Sequence, residues 1–284
     1  MPFATSPFAD VFYEQQGNGP DIMWLSAGDM PGSVWHRYQT PAFADGYRQT
    51  TYDARGIGRT VDRAPDRFAI EEHAADAAAV LEAACDGPAI LIGLSMGSLI
   101  AQELASTRPD LVRAAIVMGT CVKKTGFIRE WEEAEIAFRR AGHTLTKEMA
   151  IAHYAMQMYP ANALGDDRIW EHIRPIVEGD YGDRDGLALA AQWEACLDYD
   201  STDRLPNSTM PIHVVSFSED VQTPPQRGRQ VAELAPHGVF HLVEGLGHAS
   251  AFGHKPEVVN EVLRGIVTGI AAPLGASATV NAAR

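Results

Sequence analysis

The sequence predicts a layered α/β fold, a mostly parallel sheet covered by helices and interrupted once by a helical insert. Two observations predict it. Short apolar runs alternate with helical patterns from Val11 to Met118 and again from Ile212 to Ile270, the rhythm of right-handed β-α-β crossovers. In addition, Ala89-Ile90-Leu91-Ile92-Gly93-Leu94 has no polar alternation, which suits a strand covered on both faces.

Taken in order, Val11-Phe12-Tyr13 reads as a strand before the turn Gly17-Asn18-Gly19-Pro20. Ile22 to Leu25 is a second strand and stops at Ser26-Ala27-Gly28-Asp29. Tyr47 to Tyr52 is a third and ends at Asp53-Ala54-Arg55-Gly56-Ile57-Gly58-Arg59-Thr60. Ile70 to Cys85 carries acids at its start and apolar residues at helical spacing. After the strand Ala89–Leu94, Leu99 to Ser106 reads as helix and Ala114 to Met118 as strand. From about Lys123 to Leu205 the pattern is helical and amphipathic, with Met and aromatic residues but no convincing strand. The α/β rhythm then returns: strand Ile212–Phe217, helix Gln226–Leu234, strand Val239–Val243, helix Glu257–Ile270. The expected organisation is a core in two parts, 1–122 and 206–270, a helical cap over 123–205, and a flexible Ala/Gly-rich tail over 271–284.

Lys plus Arg total 23 and Asp plus Glu total 37, a formal net charge of −14. An acidic surface repels phosphate backbones and anionic headgroups, which argues against nucleic-acid and membrane partners. Cys85, Cys121 and Cys196 are far apart and odd in number, so neither a disulfide framework nor a zinc spacing is expected. MPFATSPFAD lacks the basic start and apolar run of a signal peptide. These features predict a soluble protein of a reducing compartment, the cytoplasm. They leave self-association open.

Gly93-Leu94-Ser95-Met96-Gly97 matches G-x-S-x-G between a strand and a helix, the setting of a nucleophile elbow. Such a turn strains the serine backbone and pushes its hydroxyl out at the sheet's C-terminal edge. A serine needs a base. Among ten histidines, His248 is best placed, in Gly245-Leu246-Gly247-His248-Ala249 between the last strand and last helix. His241 lies inside a strand pattern and His254 before the helix. The imidazole needs an orienting acid. Asp220, just past the strand Ile212–Phe217, is the choice, with Glu219 its rival. The order Ser95…Asp220…His248 is that of an α/β-hydrolase triad. The oxyanion donors then fall to the Met96 N–H and to the loop Ser26–Asp29, with Gly28 first and Ala27 and Asp29 as neighbours.

These segments resemble the α/β-hydrolase superfamily over Phe8 to Ile270. The turn Asp53–Thr60 is similar to the family's D-x-R-G-x-G-x-S, and Gly93–Gly97 and Gly247-His248 carry the rest. The resemblance implies an eight-stranded, mostly parallel sheet, a helical cap inserted after the sixth strand, and Ser-His-Asp chemistry without a cofactor or metal. Asp53 and Arg55 are expected to brace loops. Where many members have His-Gly, this chain has Ser26-Ala27-Gly28, a region that loosely resembles polyketide methylesterases. The stretch from Phe8 to Ile270 also loosely resembles haloperoxidase-like or enol-lactonase-like esterases.

Some residues of the helical insert are expected to line an apolar pocket for a small-molecule substrate, with Met149, His153, Tyr154, Trp170 and Trp193 as candidates. The leading expectation is a serine hydrolase of a carboxylic ester or lactone. C–C bond hydrolysis, perhydrolysis, acyl transfer, a tailoring cyclase or lyase, and a ligand receptor all fit the same scaffold. Epoxide hydrolases and dehalogenases fit less well, because those relatives carry a carboxylate where this chain has Ser95.

Overall fold

A computed structural model describes residues 2–63, 68–180 and 186–271. The predicted tail from 272 lies outside the described residues. The strands are β1 (Phe3–Thr5), β2 (Ala9–Gly17), β3 (Asp21–Leu25), β4 (Arg48–Tyr52), β5 (Val61–Asp62), β6 (Ala89–Leu94), β7 (Val112–Met118), β8 (Ile212–Phe217) and β9 (Gly238–Val243). They form one sheet in the order β1-β2-β4-β3-β6-β7-β8-β9, with β5 paired to β2 beside that path. Pairing is antiparallel where β2 takes part and parallel from β4 through β3, β6, β7 and β8 to β9. The eight strands expected are thus joined by a two-residue ninth. Neither β1 nor β5 is signalled in the sequence: each is so short that it carries no periodicity to read.

Every residue of β6 is buried, as its unbroken apolar run requires. One face packs on α2 (Ile70–Ala84) and α3 (Met96–Thr107) through Leu81, Leu91, Leu99 and Leu104. The other packs on α1 (Val34–Tyr38) and α10 (Pro256–Ala271) through Trp24, Trp35, Ile92, Phe252 and Leu263. Between β7 and β8 stand α4 (Phe127–Arg140), α5 (Lys147–Met158), α6 (Ala161–Leu164), α7 (Asp167–Asp180) and α8 (Gly186–Asp198). Helix α9 (Pro225–Leu234) links the last two strands.

Register is what places the site. Leu25 pairs with Gly93, Leu94 with Met118, and Phe217 with Val243. The strands therefore end nearly level. The loops that follow them, carrying Gly28, Ser95, Gly119, Asp220 and His248, emerge at one edge of the sheet, where open α/β sheets hold their ligands.

The turn after β4 is structural. Asp53 accepts the Gly32 N–H through Oδ1 and the Arg59 N–H through Oδ2, both at 2.9 Å. Fully buried Arg55 pairs with Asp76 at 2.6 Å and Glu72 at 3.0 Å. Both side chains brace loops, as expected.

Candidate active site

Ser95 sits between β6 and α3 with φ 54° and ψ −119°, a conformation that costs a non-glycine residue free energy and is kept only where the surroundings impose it. They do so through two glycines. A Cβ on Gly93 would lie 2.3 Å from the Gly97 carbonyl oxygen, and one on Gly97 would lie 2.1 Å from that of Leu25. Only hydrogen at both positions lets β3, β6 and α3 converge this tightly. The Ser95 N–H donates to the Met118 carbonyl at 3.0 Å, tying the turn to the end of β7.

His248 and Asp220 are each 3% exposed. His248 Nδ1 lies 2.7 Å from Asp220 Oδ2. A carboxylate only accepts, so Nδ1 carries the proton and Nε2 is left as the basic nitrogen. That Nε2 is buried and has no hydrogen-bond partner. Asp220 is itself held: its Oδ1 accepts the N–H groups of Gln222 and Thr223, both at 2.9 Å, and its Oδ2 accepts the Thr223 hydroxyl at 2.8 Å. This is an Asx-turn closed by a threonine. Glu219, the rival in sequence, takes no part in it.

Gly119 sets the height of the imidazole. Its φ is +53°, and a Cβ there would lie 2.9 Å from His248 Cε1 and 3.1 Å from Nδ1. Ser95, Gly119 and His248 line one cavity of about 60 Å³, together with Gly28, Met96, Thr120, Thr223 and Phe252. The structure thus brings together Ser95, Asp220, His248, Gly28 and Met96 from four separate segments. On the loop after β3, the Asp29 N–H is already given to Gln192 Oε1 at 2.8 Å. It is therefore committed elsewhere, which leaves Gly28 and Ala27 as the candidate donors from that loop.

The sequence profile of the alpha/beta hydrolase fold family matches residues 28–255. The chain belongs to the α/β-hydrolase fold family. It is an enzyme of that class, and its relatives divide by chemistry. A Mycobacterium tuberculosis H37Rv protein provisionally named non-heme bromoperoxidase BpoC is 31% identical over 267 residues, covering 89% of this chain and 96% of the relative. Its crystal structure superposes with a TM-score of 0.85 at 29% identity over 92% of this chain and 97% of that one. An Azorhizobium caulinodans protein provisionally named carbamate hydrolase RutD is 28% identical over 93% of this chain and 97% of its own. The enol-lactonase of Burkholderia xenovorans LB400 shares the fold with a TM-score of 0.81 at 20% identity, over 94% of this chain and all of that one.

In this hydrolase the five candidate lining residues of the insert divide. Tyr154 and Trp193 face the cavity. Met149, His153 and Trp170 do not, which corrects the expectation for them. Met149 lies on the outer side of α5 and is 57% exposed. His153 is held against α4 by Glu135 at 2.6 Å and bonds Gln157 at 2.7 Å. Trp170 packs with Ile173, Tyr154 and Tyr159 inside the insert. Helical periodicity shows that a side chain is apolar on one face; it does not show whether that face meets a cavity or another helix.

Other parts of the wall carry no sign of that place in the sequence, among them Lys124, Glu132, Gln157, Gln222, Cys121 and Cys196. Lys124 Nζ donates to Glu132 Oε1 at 2.7 Å, with both side chains buried. Burial is the largest influence and pushes the ammonium down, but the surrounding groups, led by the charge of Glu132, together outweigh it, so Lys124 ends above its ordinary pKa and stays charged. Burial lifts the Cys196 thiol to about 12 and raises Cys121 as well. Neither is a thiolate near neutral pH, so neither rivals Ser95 as a nucleophile. A pairing of Lys124 and Glu132 at i, i+8 across a loop–helix junction leaves no periodic trace in a sequence.

Proposed function

We propose that the enzyme is a serine hydrolase of a carboxylic ester or lactone, working through an acyl-enzyme on Ser95. The observation that carries this reading is the imidazole of His248: Nδ1 is held by Asp220, while Nε2 is buried without a protein partner, and the ring shares a cavity with Ser95. A base so held is poised for a hydroxyl proton.

In this mechanism the Ser95 hydroxyl attacks the substrate carbonyl as His248 Nε2 takes its proton. Asp220 holds the ring tautomer and stabilises the imidazolium. The Met96 N–H, at the start of α3, and the Gly28 N–H donate to the tetrahedral oxyanion. Their fixed dipoles stabilise charge that develops only on the way to the intermediate. His248 then gives its proton to the leaving alcohol. Water attacks the acyl-enzyme by the same proton path and frees Ser95. The insert acts as a cap that keeps bulk water from the cavity, with Tyr154 and Trp193 against the substrate. The substrate is a small molecule, and the free cysteines fit a cytoplasmic, reducing setting.

The similarity to BpoC favours a second reading with the same residues. Hydrogen peroxide would replace water in discharging the acyl-enzyme, and a peracid would leave in place of a carboxylic acid. Assays of p-nitrophenyl esters with and without peroxide separate the two by product.

The test of the shared step is covalent. A fluorophosphonate should label the protein once, and Ser95→Ala should abolish both labelling and turnover while leaving the melting curve in place. Labelling that survives this substitution would put the nucleophile elsewhere.

A further inference from the structure

The Lys124–Glu132 ion pair lies in the cavity wall, and the acyl-enzyme chemistry makes no use of it. Burying two opposite charges is costly, and apolar residues of the same volume would usually hold a core as well or better. The pair is also incomplete. Glu132 Oε1 accepts from Lys124, but Glu132 Oε2 is buried with no hydrogen-bond partner. A buried carboxylate oxygen left unpaired is expensive and calls for an explanation. On the other side, an ammonium has three N–H donors, and Glu132 Oε1 takes one of them. The wall therefore presents a donor and an acceptor side by side, with no net charge. An anionic group placed there would meet the Glu132 carboxylate, and a cationic one would meet Lys124. A purely alkyl group would leave Oε2 as it is. A neutral group that accepts and donates at once satisfies both.

We propose that Lys124 and Glu132 together read a hydroxyl or an amide on the substrate, away from the scissile carbonyl. Lys124 Nζ donates to its oxygen, and its O–H or N–H donates to Glu132 Oε2. This names the substrate class of the proposed hydrolase and rests on that reading of the cavity.

The experiment compares four p-nitrophenyl esters: butanoate, 3-hydroxybutanoate, 3-acetamidopropanoate and the anionic succinate monoester. The wild-type enzyme should favour the hydroxyl or the amide ester over butanoate in kcat/KM by at least about tenfold. The better of the two tells which group is read. In K124M/E132M that ratio should fall to within about threefold of unity, since both polar partners are gone. Should the double variant melt below the assay temperature, E132Q, which keeps the shape of the side chain, is read instead: Lys124 still donates but the charged acceptor becomes a neutral amide, so the ratio should fall by about threefold or more, and an unchanged ratio overturns the proposal. A wild-type preference for butanoate or for the succinate ester overturns the proposal, as does a ratio that K124M/E132M leaves unchanged. If no ester is turned over, the reaction assignment fails by itself, and binding still tests the pair. Titration of 4-hydroxy-2-pentanone against 2-pentanone by NMR should show tighter binding of the hydroxyketone in the wild type only. Equal binding of the two ketones to the wild type counts against the pair as the reader.

Discussion

Gln192 of α8 accepts the Asp29 N–H at 2.8 Å and donates its own amide to the Arg55 carbonyl at 2.8 Å. One side chain of the insert thus pins the loop that carries Gly28, at a residue whose φ is +64°. Gln192→Ala removes both bonds and leaves a strained loop to find its own conformation. The expected result is a fall in kcat of about tenfold with a smaller change in KM, because loosened donors lose more in the transition state than in the ground state. Steady-state kinetics on a p-nitrophenyl ester decides it, and an unchanged kcat would detach this loop from oxyanion binding.

Gly119→Ala should be nearly inactive. The added Cβ would press on the His248 ring at 2.9 Å, and the positive φ adds backbone strain. A displacement of the imidazole of this order costs about a hundredfold in kcat. Fluorophosphonate labelling should slow in parallel, because it needs the same base. Full-rate labelling would mean that the ring has room to spare.

Thr223 is a positioning residue for Asp220. Thr223→Val removes the hydroxyl that bonds Oδ2 at 2.8 Å but leaves the two backbone donors on Oδ1. A loss of about tenfold in kcat is expected, restored by Thr223→Ser. Asp220→Asn should cost about 10⁴-fold by imposing the wrong tautomer on His248. A Thr223→Val enzyme with normal kcat would show the backbone donors to be sufficient.

The fold should be acid-sensitive well below neutrality. His73 of α2 is fully buried, with no partner on either ring nitrogen. Burial and then the charge of Arg55 hold its pKa near 3, against an ordinary 6.5. The unfolded chain therefore takes a proton that the folded one refuses between those values. Stability is full above about pH 6.5 and declines as pH falls, by about 1.4 kcal/mol per unit for this group. His213, held by burial near 4, adds to the same slope. Urea unfolding at pH 7, 6 and 5 reads it, and His73→Leu should flatten the curve. A slope that this substitution leaves untouched would trace the acid response to other groups.

Much of the candidate site could be read from the chain because it depends on local rules. Gly93, Ser95 and Gly97 declare a strand–turn–helix junction within five residues, and Asp220 and His248 each follow an apolar strand directly. Asp220 also had a readable support: Thr223, three residues on, is the partner an Asx-turn uses. The edge strands β1 and β5 were not legible, since a strand of two or three residues is made by its neighbour rather than by its own pattern.

For this protein the chain alone determined the buried parallel sheet, the elbow and the order of the three candidate catalytic residues, because each leaves a local mark in the sequence, an unbroken apolar run or a short turn at the end of one. Only the tertiary structure decided that Tyr154 and Trp193 face the cavity while Met149, His153 and Trp170 do not. It alone also set Lys124 against Glu132 and Gln192 against Asp29. Those are contacts between helices and loops whose rotation and docking depend on packing across the whole domain, and hydrophobic periodicity carries no information about that.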